Sequence, residues 1–403
     1  MAMQSFPLVR EPISQAYAGV RAVSRPMHNR RIDFVSVVLP CLNEEEAVGA
    51  TVAEAFLGLR RAGCEGEVIV VDNGSTDRSV ERAEAAGARV IHETVRGYGA
   101  AHIAGINAAQ GNVIVMADAD ETYDLENMGN LLAPLADGAD MVVGSRLHGV
   151  IAKDAMPFTH RYIGTPVITR VLQLLTTTRL SDSQSGYRAF WRQAILDIDL
   201  KAPGMEYASE MLLKAARQGL TLEEVPCDYR KRVGESKLNT FADGWRHIRL
   251  LLLLSPHLTL MLPGFFAMLL GVLLTCASVL APIGMAGLHG LSAFLGPILL
   301  MLGAQAVILG GIATYRSPLA PKLFRNRVAF LGREGAVNRL MMSFVAAAVL
   351  GVALDVALTM GQRTLSGLSF LELAGVAQSL IVIGISGLAI VFATDYARES
   401  VGL

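Results

Sequence analysis

The chain has 403 residues, 52% of them hydrophobic and 18% charged, with 35 Lys and Arg against 36 Asp and Glu. Soluble domains carry about 25% charged residues, so the apolar excess excludes a disordered or wholly soluble chain and puts part of it in lipid. The near-neutral balance excludes general nucleic-acid binding. Cys41, Cys64, Cys227 and Cys276 are scattered without a CxxC pair, so they form neither a disulfide framework nor a zinc site and suit a reducing compartment.

Residues 1–31 carry Arg10, Arg21, Arg25, Arg30 and Arg31 but no apolar run of a secretory signal. They read as a flexible basic tail. Strand and helix then alternate. Phe34–Leu39, Glu67–Val71, Arg89–His92, Asn112–Ala117 and Asp140–Val143 are short apolar runs of strand type. Glu45–Arg61, Asp77–Ala86 and Ala100–Ala109 read as helices between them. This alternation predicts a parallel sheet covered on both faces, with ligands beyond the carboxyl ends of its strands.

Three acidic turns follow three of those strands: Pro40-Cys41-Leu42-Asn43-Glu44-Glu45, Asp72-Asn73-Gly74-Ser75-Thr76-Asp77 and Asp118-Ala119-Asp120. Taken singly, Asn43 and Asp77 read as helix N-caps and Gly74 as a turn glycine. Taken together they make one acidic edge. Two carboxylates at i and i+2 leaving a strand reach one hard divalent cation, Mg²⁺ or Mn²⁺, shared with phosphate oxygens. A sugar nucleotide supplies such a diphosphate.

Thr240–Leu254 places Phe241, Trp245, Ile248 and Leu252 on one stripe, with Arg246, His247 and Arg249 off it. Such a helix lies in the headgroup layer. Beyond it, Leu258–Leu280, Phe294–Tyr315 and Ala374–Thr394 hold no charge, and Met341–Met360 holds only Asp355. About 20 apolar residues cross the hydrocarbon core as a helix. Arg316, Lys322, Arg325, Arg327, Arg333 and Arg339 lie between the second and third spans, whereas 281–293 has no Lys or Arg. The positive-inside rule then puts the N-terminal domain and both chain ends in the cytoplasm.

The acidic turns resemble the three signatures of family 2 glycosyltransferases. Gly144-Ser145-Arg146, Asp182-Ser183-Gln184-Ser185-Gly186-Tyr187-Arg188 and Gly234-Glu235-Ser236-Lys237-Leu238 resemble the dolichyl- or polyprenyl-phosphate sugar synthase branch. The resemblance spans roughly residues 34–255. It implies an α/β GT-A domain, the nucleotide-diphospho-sugar transferase fold, followed by an all-α transmembrane domain of four helices. The expected division is a tail over 1–31, a catalytic domain over 32–238, an interface helix over 239–256 and the spans over 257–403.

The resemblance also implies the chemistry. A hexose passes, with inversion, from a nucleotide-diphosphate sugar such as UDP-glucose or GDP-mannose to a polyprenyl or dolichyl phosphate. Pro40, Leu42 and Glu44 line the nucleotide, Asp72 contacts the base, and Asp118 and Asp120 serve ribose and metal. Arg146 and Arg161 hold the lipid phosphate, with Thr165, Arg232 and Lys237 near the acceptor and donor phosphates. Asp118, Asp120, Arg146 and Arg161 are the residues expected to carry catalysis. Some members have Tyr where Leu42 stands, and some have a metal-binding Gln where Thr122 stands. Homo-oligomerisation is left open.

Other readings fit less well. Gly97-Tyr98-Gly99 lacks the third glycine of a dinucleotide fingerprint, since residue 102 is His. A processive polysaccharide synthase would carry Gln-x-x-Arg-Trp, which is missing. A membrane scaffold or lipid translocase with a dead site would not need the intact Asp118 and Asp120.

Overall fold

The computed structural model describes residues 31–176, 178–234, 240–280, 286–316, 320, 322–329, 335–360 and 367–399. They form two compact units, divided between Leu251 and Leu252.

The first unit is built on a seven-stranded sheet. Its strands are β1 Val35–Cys41, β2 Gly66–Asp72, β3 Arg89–His92, β4 Val113–Met116, β5 Met141–Ser145, β6 Arg188–Trp191 and β7 Leu222–Pro226, in spatial order β3-β2-β1-β4-β6-β5-β7. Val35, Val37, Val38 and Leu39 of β1 and all of β4 are buried, as expected for central strands covered on both faces. Ser36 tolerates this burial because its hydroxyl donates to Glu67 Oε1 at 2.8 Å and accepts from Gly111 N at 2.9 Å.

The covering helices are α1 Val48–Arg61, α2 Ser79–Ala85, α3 Tyr98–Ala108, α4 Gly129–Ala136, α5 Thr165–Leu175, α6 Arg192–Leu196 and α7 Tyr207–Gln218. A π-helical turn, His160–Gly164, leads into α5.

The sheet is not wholly parallel. β6 runs antiparallel to β4 on one side and β5 on the other. Its four residues follow directly on a polar motif and end in a helix, so they leave no apolar run to read. Two helices also start later than their sequence suggests. Residues 43–45 and 75–78 are engaged with one another, so α1 begins only at Val48 and α2 at Ser79. Asn43 is accordingly no N-cap. It sits in the left-handed region, φ +53°, and its side chain accepts from Thr76 N at 2.7 Å.

α8, Thr240–Leu253, closes the first unit. His247, off the apolar stripe in sequence, is buried with its Nδ1 2.8 Å from Ser209 Oγ, and Leu251 is buried with it. Trp245, on the stripe, is 62% exposed. The unit thus buries His247 but leaves Arg246 and Arg249 exposed, and it presents the indole outward. The side chain of Phe241 lies outside the described residues.

The second unit consists of α9 Leu262–Leu280, α10 Ala286–Arg316, α11 Lys322–Arg327, α12 Ala336–Met360 and α13 Gly367–Glu399. Four stretches are long and apolar enough to cross a membrane: His257–Ala277, Leu295–Tyr315, Asn338–Leu358 and Leu373–Val391. α10 meets α9, and the π-helical turn His257–Met261 that precedes it, along glycines seven residues apart. A Cβ on Gly296 would lie 2.5 Å from Thr275 Oγ1, one on Gly303 2.5 Å from Met268 N, and one on Gly310 2.6 Å from Met261 N. Lipid gives helices no hydrophobic reason to associate, so close backbone approach and polar contacts supply it. Between α10 and α13, Gln305 Nε2 donates to Ser386 Oγ at 3.0 Å and Ser379 Oγ to the Pro297 carbonyl at 3.1 Å.

Candidate active site

β1, β2 and β4 are mutually parallel, with Cys41 opposite Asp72 and Val38 opposite Met116. Their carboxyl ends therefore open on one edge, and the three acidic turns meet there.

The first two turns are stitched together. Asn43 N donates to Ser75 Oγ at 3.0 Å, Glu44 N to Ser79 Oγ at 2.7 Å and Arg78 N to Glu45 Oε2 at 2.9 Å. Asp77 takes Ser79 N at 3.0 Å on one oxygen and Glu45 N at 3.3 Å on the other. Pro40 and Leu42 are half-buried on this floor. Asp72 is buried at the end of β2 and accepts from Ser75 N at 2.8 Å, with His92 Nδ1 3.1 Å away. Burial alone would raise its carboxyl, but the Ser75, His92 and Gly74 hydrogen bonds outweigh that and hold it below the ordinary value. It is thus an ionised acceptor aimed at the edge, suited to N–H groups of a base.

The third turn carries the carboxylate pair. Asp118 Oδ1 accepts from Tyr98 Oη at 2.9 Å. Asp120 Oδ1 accepts from Thr122 Oγ1 at 2.6 Å and Thr122 N at 3.2 Å. Thr122 therefore fixes Asp120. The turn between them is strained, with Glu121 at φ +63°. Burial first, and the neighbouring charge of Asp120 second, push the Asp118 carboxyl up to about 7.

Arg232 spans the edge: one guanidinium nitrogen bonds Glu44 Oε1 and another lies 3.3 Å from Asp120 Oδ2. Arg232 thus bridges the first and third acidic turns, and the charge of Arg146 also reaches Asp118. Glu44, Asp118 and Asp120 gather three carboxyl groups on one edge. The donor set is hard oxygen, and no third His, Cys, Asp or Glu joins the pair among the described residues. That fits a Mg²⁺ or Mn²⁺ ion completed by phosphate and water oxygens rather than an all-protein cage.

The remaining expected residues fall into two environments. Arg146 follows β5 and is buried in a two-pronged pair with Asp182, Nε to Oδ2 at 2.7 Å and Nη2 to Oδ1 at 2.9 Å. It also lies over the Tyr229 ring, 5.2 Å from the centroid. Burial would lower its pKa, but Asp182 more than compensates, so it stays charged. Its Nη1 edge is not used by Asp182. Arg161 is exposed on the π-helical turn, over the Tyr162 ring. Thr165, buried, opens α5 just beyond it. Lys237 lies outside the described residues.

Sequence reasoning missed Tyr98, Thr122 as a clamp on Asp120, Asp182 as the partner of Arg146, and Tyr229. Asp182 had a signal: an acidic residue inside a polar run cannot be buried without a cation. Thr122 is only two residues from Asp120, but its clamping bond depends on the left-handed turn at Glu121. Tyr98 and Tyr229 act across long sequence separations and left no signal.

Comparison with known proteins agrees with this geometry. A glycosyl transferase family 2 model matches residues 36–198. The low-salt glycan biosynthesis hexosyltransferase Agl6 of Haloferax volcanii is 38% identical over 290 residues, covering 70% of this chain and 69% of that protein. A dolichyl-phosphate hexose transferase of the same organism is 35% identical over 212 residues, covering 53% of this chain and 90% of that one. A dolichol-phosphate mannosyltransferase of Pyrococcus furiosus is 30% identical over 226 residues, covering 53% of this chain and 62% of that one. A mixed sheet with acidic turns gathered on one edge, and relatives aligned through it, place this enzyme in glycosyltransferase family 2, in the branch of the dolichyl-phosphate sugar synthases.

Proposed function

We propose that the enzyme transfers a hexose from a nucleotide-diphosphate sugar, UDP-glucose or GDP-mannose, to a polyprenyl or dolichyl phosphate, with inversion. The observation that carries this is the gathering of Glu44, Asp118 and Asp120 on one sheet edge, with Arg232 bridging Glu44 and Asp120. It suits a diphosphate that arrives with a divalent cation. The hexosyl acceptor is supported by what the relatives are named for.

Asp118 and Asp120 would hold Mg²⁺ or Mn²⁺, which when bound offsets charge on the departing nucleoside diphosphate. Asp72 takes the base, and Pro40, Leu42 and Glu44 line the nucleotide. Arg232 and Lys237 serve the phosphates. A phosphate monoester is already anionic near neutral pH, its second pKa being about 6. The acceptor therefore needs aim and countercharge more than a strong base. Arg161, with Thr165 next along the helix, and Arg146 give that countercharge.

Incubating membranes containing the protein with a panel of labelled sugar nucleotides and one polyprenyl phosphate tests the function. Label in the lipid phase with UDP-glucose or GDP-mannose is expected. Metal-dependent label in a long polysaccharide would instead favour a processive synthase.

Arg161→Ala should raise the KM for polyprenyl phosphate about tenfold, since a charge-assisted contact is worth about 1.5–3 kcal/mol. The KM for the sugar nucleotide should change much less. Equal acceptor kinetics would show Arg161 to be a solvated surface residue.

We also propose that the catalytic unit faces the cytoplasm of an integral membrane protein. A cysteine placed at Ala281 should react with an impermeant reagent from outside the cell, and one at Arg327 should not. The opposite pattern would reverse the orientation.

A further inference from the structure

Gly97-Tyr98-Gly99 opens α3 beside the carboxylate pair. Asn73, buried just after β2, accepts from Gly97 N at 2.7 Å and donates to the carbonyls of Glu93 and Val95 at 2.9 and 2.8 Å. The chain entering α3 is thereby held from one side. The other side is the backbone of 202–203. A Cβ on Gly97, which has φ +144°, would lie 2.1 Å from the Pro203 carbonyl oxygen, and one on Gly99 2.1 Å from that of Ala202. Ala100 N donates to the same Pro203 oxygen at 3.0 Å. The two glycines are thus needed for close approach, and they fix the residue between them.

That residue sends its hydroxyl 2.9 Å to Asp118 Oδ1. Its ring is backed by His102, edge to face at 4.5 Å, which stacks on Tyr207 at 5.5 Å. His102 is fully buried, and neither ring nitrogen has a hydrogen-bond partner among the described residues. Burial first, and Arg188 second, push its pKa down to about 3, so it stays neutral and serves as packing. Gly186 closes the arrangement: a Cβ there would lie 2.8 Å from Tyr98 Oη and 3.1 Å from Asp118 Oδ2.

We infer that Tyr98 is a positioning residue for the cation and diphosphate site, fixing the carboxylate plane of Asp118 through Oδ1 and leaving Oδ2 for the ion. This rests on the reading of Asp118 and Asp120 as the carboxylates that hold the cation. Hydrogen bonds that orient a ligand in this way typically change metal affinity about 10–100-fold when removed.

The test uses the full chain in detergent, titrated with Mn²⁺ in the presence of UDP or of GDP, with free Mn²⁺ read by electron paramagnetic resonance. Tyr98→Phe should weaken Mn²⁺ binding about tenfold or more and leave the melting temperature nearly unchanged, whereas Asp120→Asn should abolish binding. Unchanged affinity in Tyr98→Phe, with binding lost in Asp120→Asn, overturns the role of Tyr98 alone. Unchanged affinity in Asp120→Asn, or no binding by the unsubstituted chain, overturns the cation reading and the role of Tyr98 with it. If Tyr98→Phe does not fold, Gly186→Ala, whose new methyl displaces the Tyr98 hydroxyl, should weaken binding to a similar degree. Full affinity there overturns the inference.

Discussion

Asp120→Asn is expected to lower hexose transfer about a thousandfold or more, equivalent to about 4 kcal/mol of barrier. The replacement keeps the shape of the side chain. Its amide oxygen still accepts from Thr122 Oγ1 and N, the bonds that set the turn. The negative charge is what goes. Arg232, which spans Glu44 and Asp120, loses its charged contact at Asp120, and the proposed cation would lose one of its two carboxylates. Folding should be spared, with a melting temperature near that of the unsubstituted protein. The measurement is transfer from labelled sugar nucleotide to polyprenyl phosphate at saturating Mg²⁺ or Mn²⁺. Near-normal turnover would remove Asp120 from the site.

Asp182→Ala should have the largest effect on stability. Asp182 is fully buried and holds both Nε and Nη2 of Arg146, whose backbone N–H it also accepts at 3.2 Å. Removing it leaves a guanidinium in a dry setting without its partner. Breaking a buried pair from one side costs about 3–5 kcal/mol. For a unit of this size that is an apparent melting temperature lower by about 6–20 °C. Arg161→Ala, at an exposed position, should leave it nearly unchanged. Removing both charges, as Arg146→Met with Asp182→Ala, should recover much of the loss. A single Asp182→Ala variant that melts with the unsubstituted protein would show the pair to be energetically idle.

The pair also sets a pH dependence. Burial would raise the Asp182 carboxyl, but Arg146 outweighs it and the folded value lies below the unfolded one. The stabilisation is therefore fully present above the unfolded value, about 3.9, and is lost as pH falls through the folded one. Stability from this source should be flat near neutrality and decline only in acid. Chemical denaturation across acid pH, with Asp182→Ala as reference, isolates that decline.

The parts of this protein readable in its sequence are those where one local pattern decides one structure. Val35–Leu39 and Val113–Met116 are apolar because they are buried on both faces, and each feeds an acidic turn directly. The four apolar stretches are legible because lipid leaves the backbone no partner but its own helix. What stayed hidden depends on residues far apart in the chain. β6 is four residues long and takes its direction from β4 and β5, not from its own composition. Asn43 looks like a cap until Thr76, 33 positions away, claims its side chain. Gly97-Tyr98-Gly99 looks like a failed dinucleotide loop because its partners, Pro203 and Asp118, are remote in sequence.

The stitching of residues 43–45 to 75–79 has a thermodynamic consequence for ligand binding. Hydrogen bonds from backbone N–H groups to Ser75, Ser79, Asp77, Asn43 and Glu45 tie the two turns to each other with no ligand present. The edge proposed to hold the nucleotide is therefore ordered when the chain folds, and a donor would not have to order it on arrival. The loop-ordering part of the association entropy is removed in advance, which favours a tighter complex for the same contacts. It also couples the turns. Asn43→Ala removes only the bonds that Thr76 donates across the pair, and the bonds through Ser75, Ser79, Asp77 and Glu45 should keep the turns, and Asp72 with them, in place.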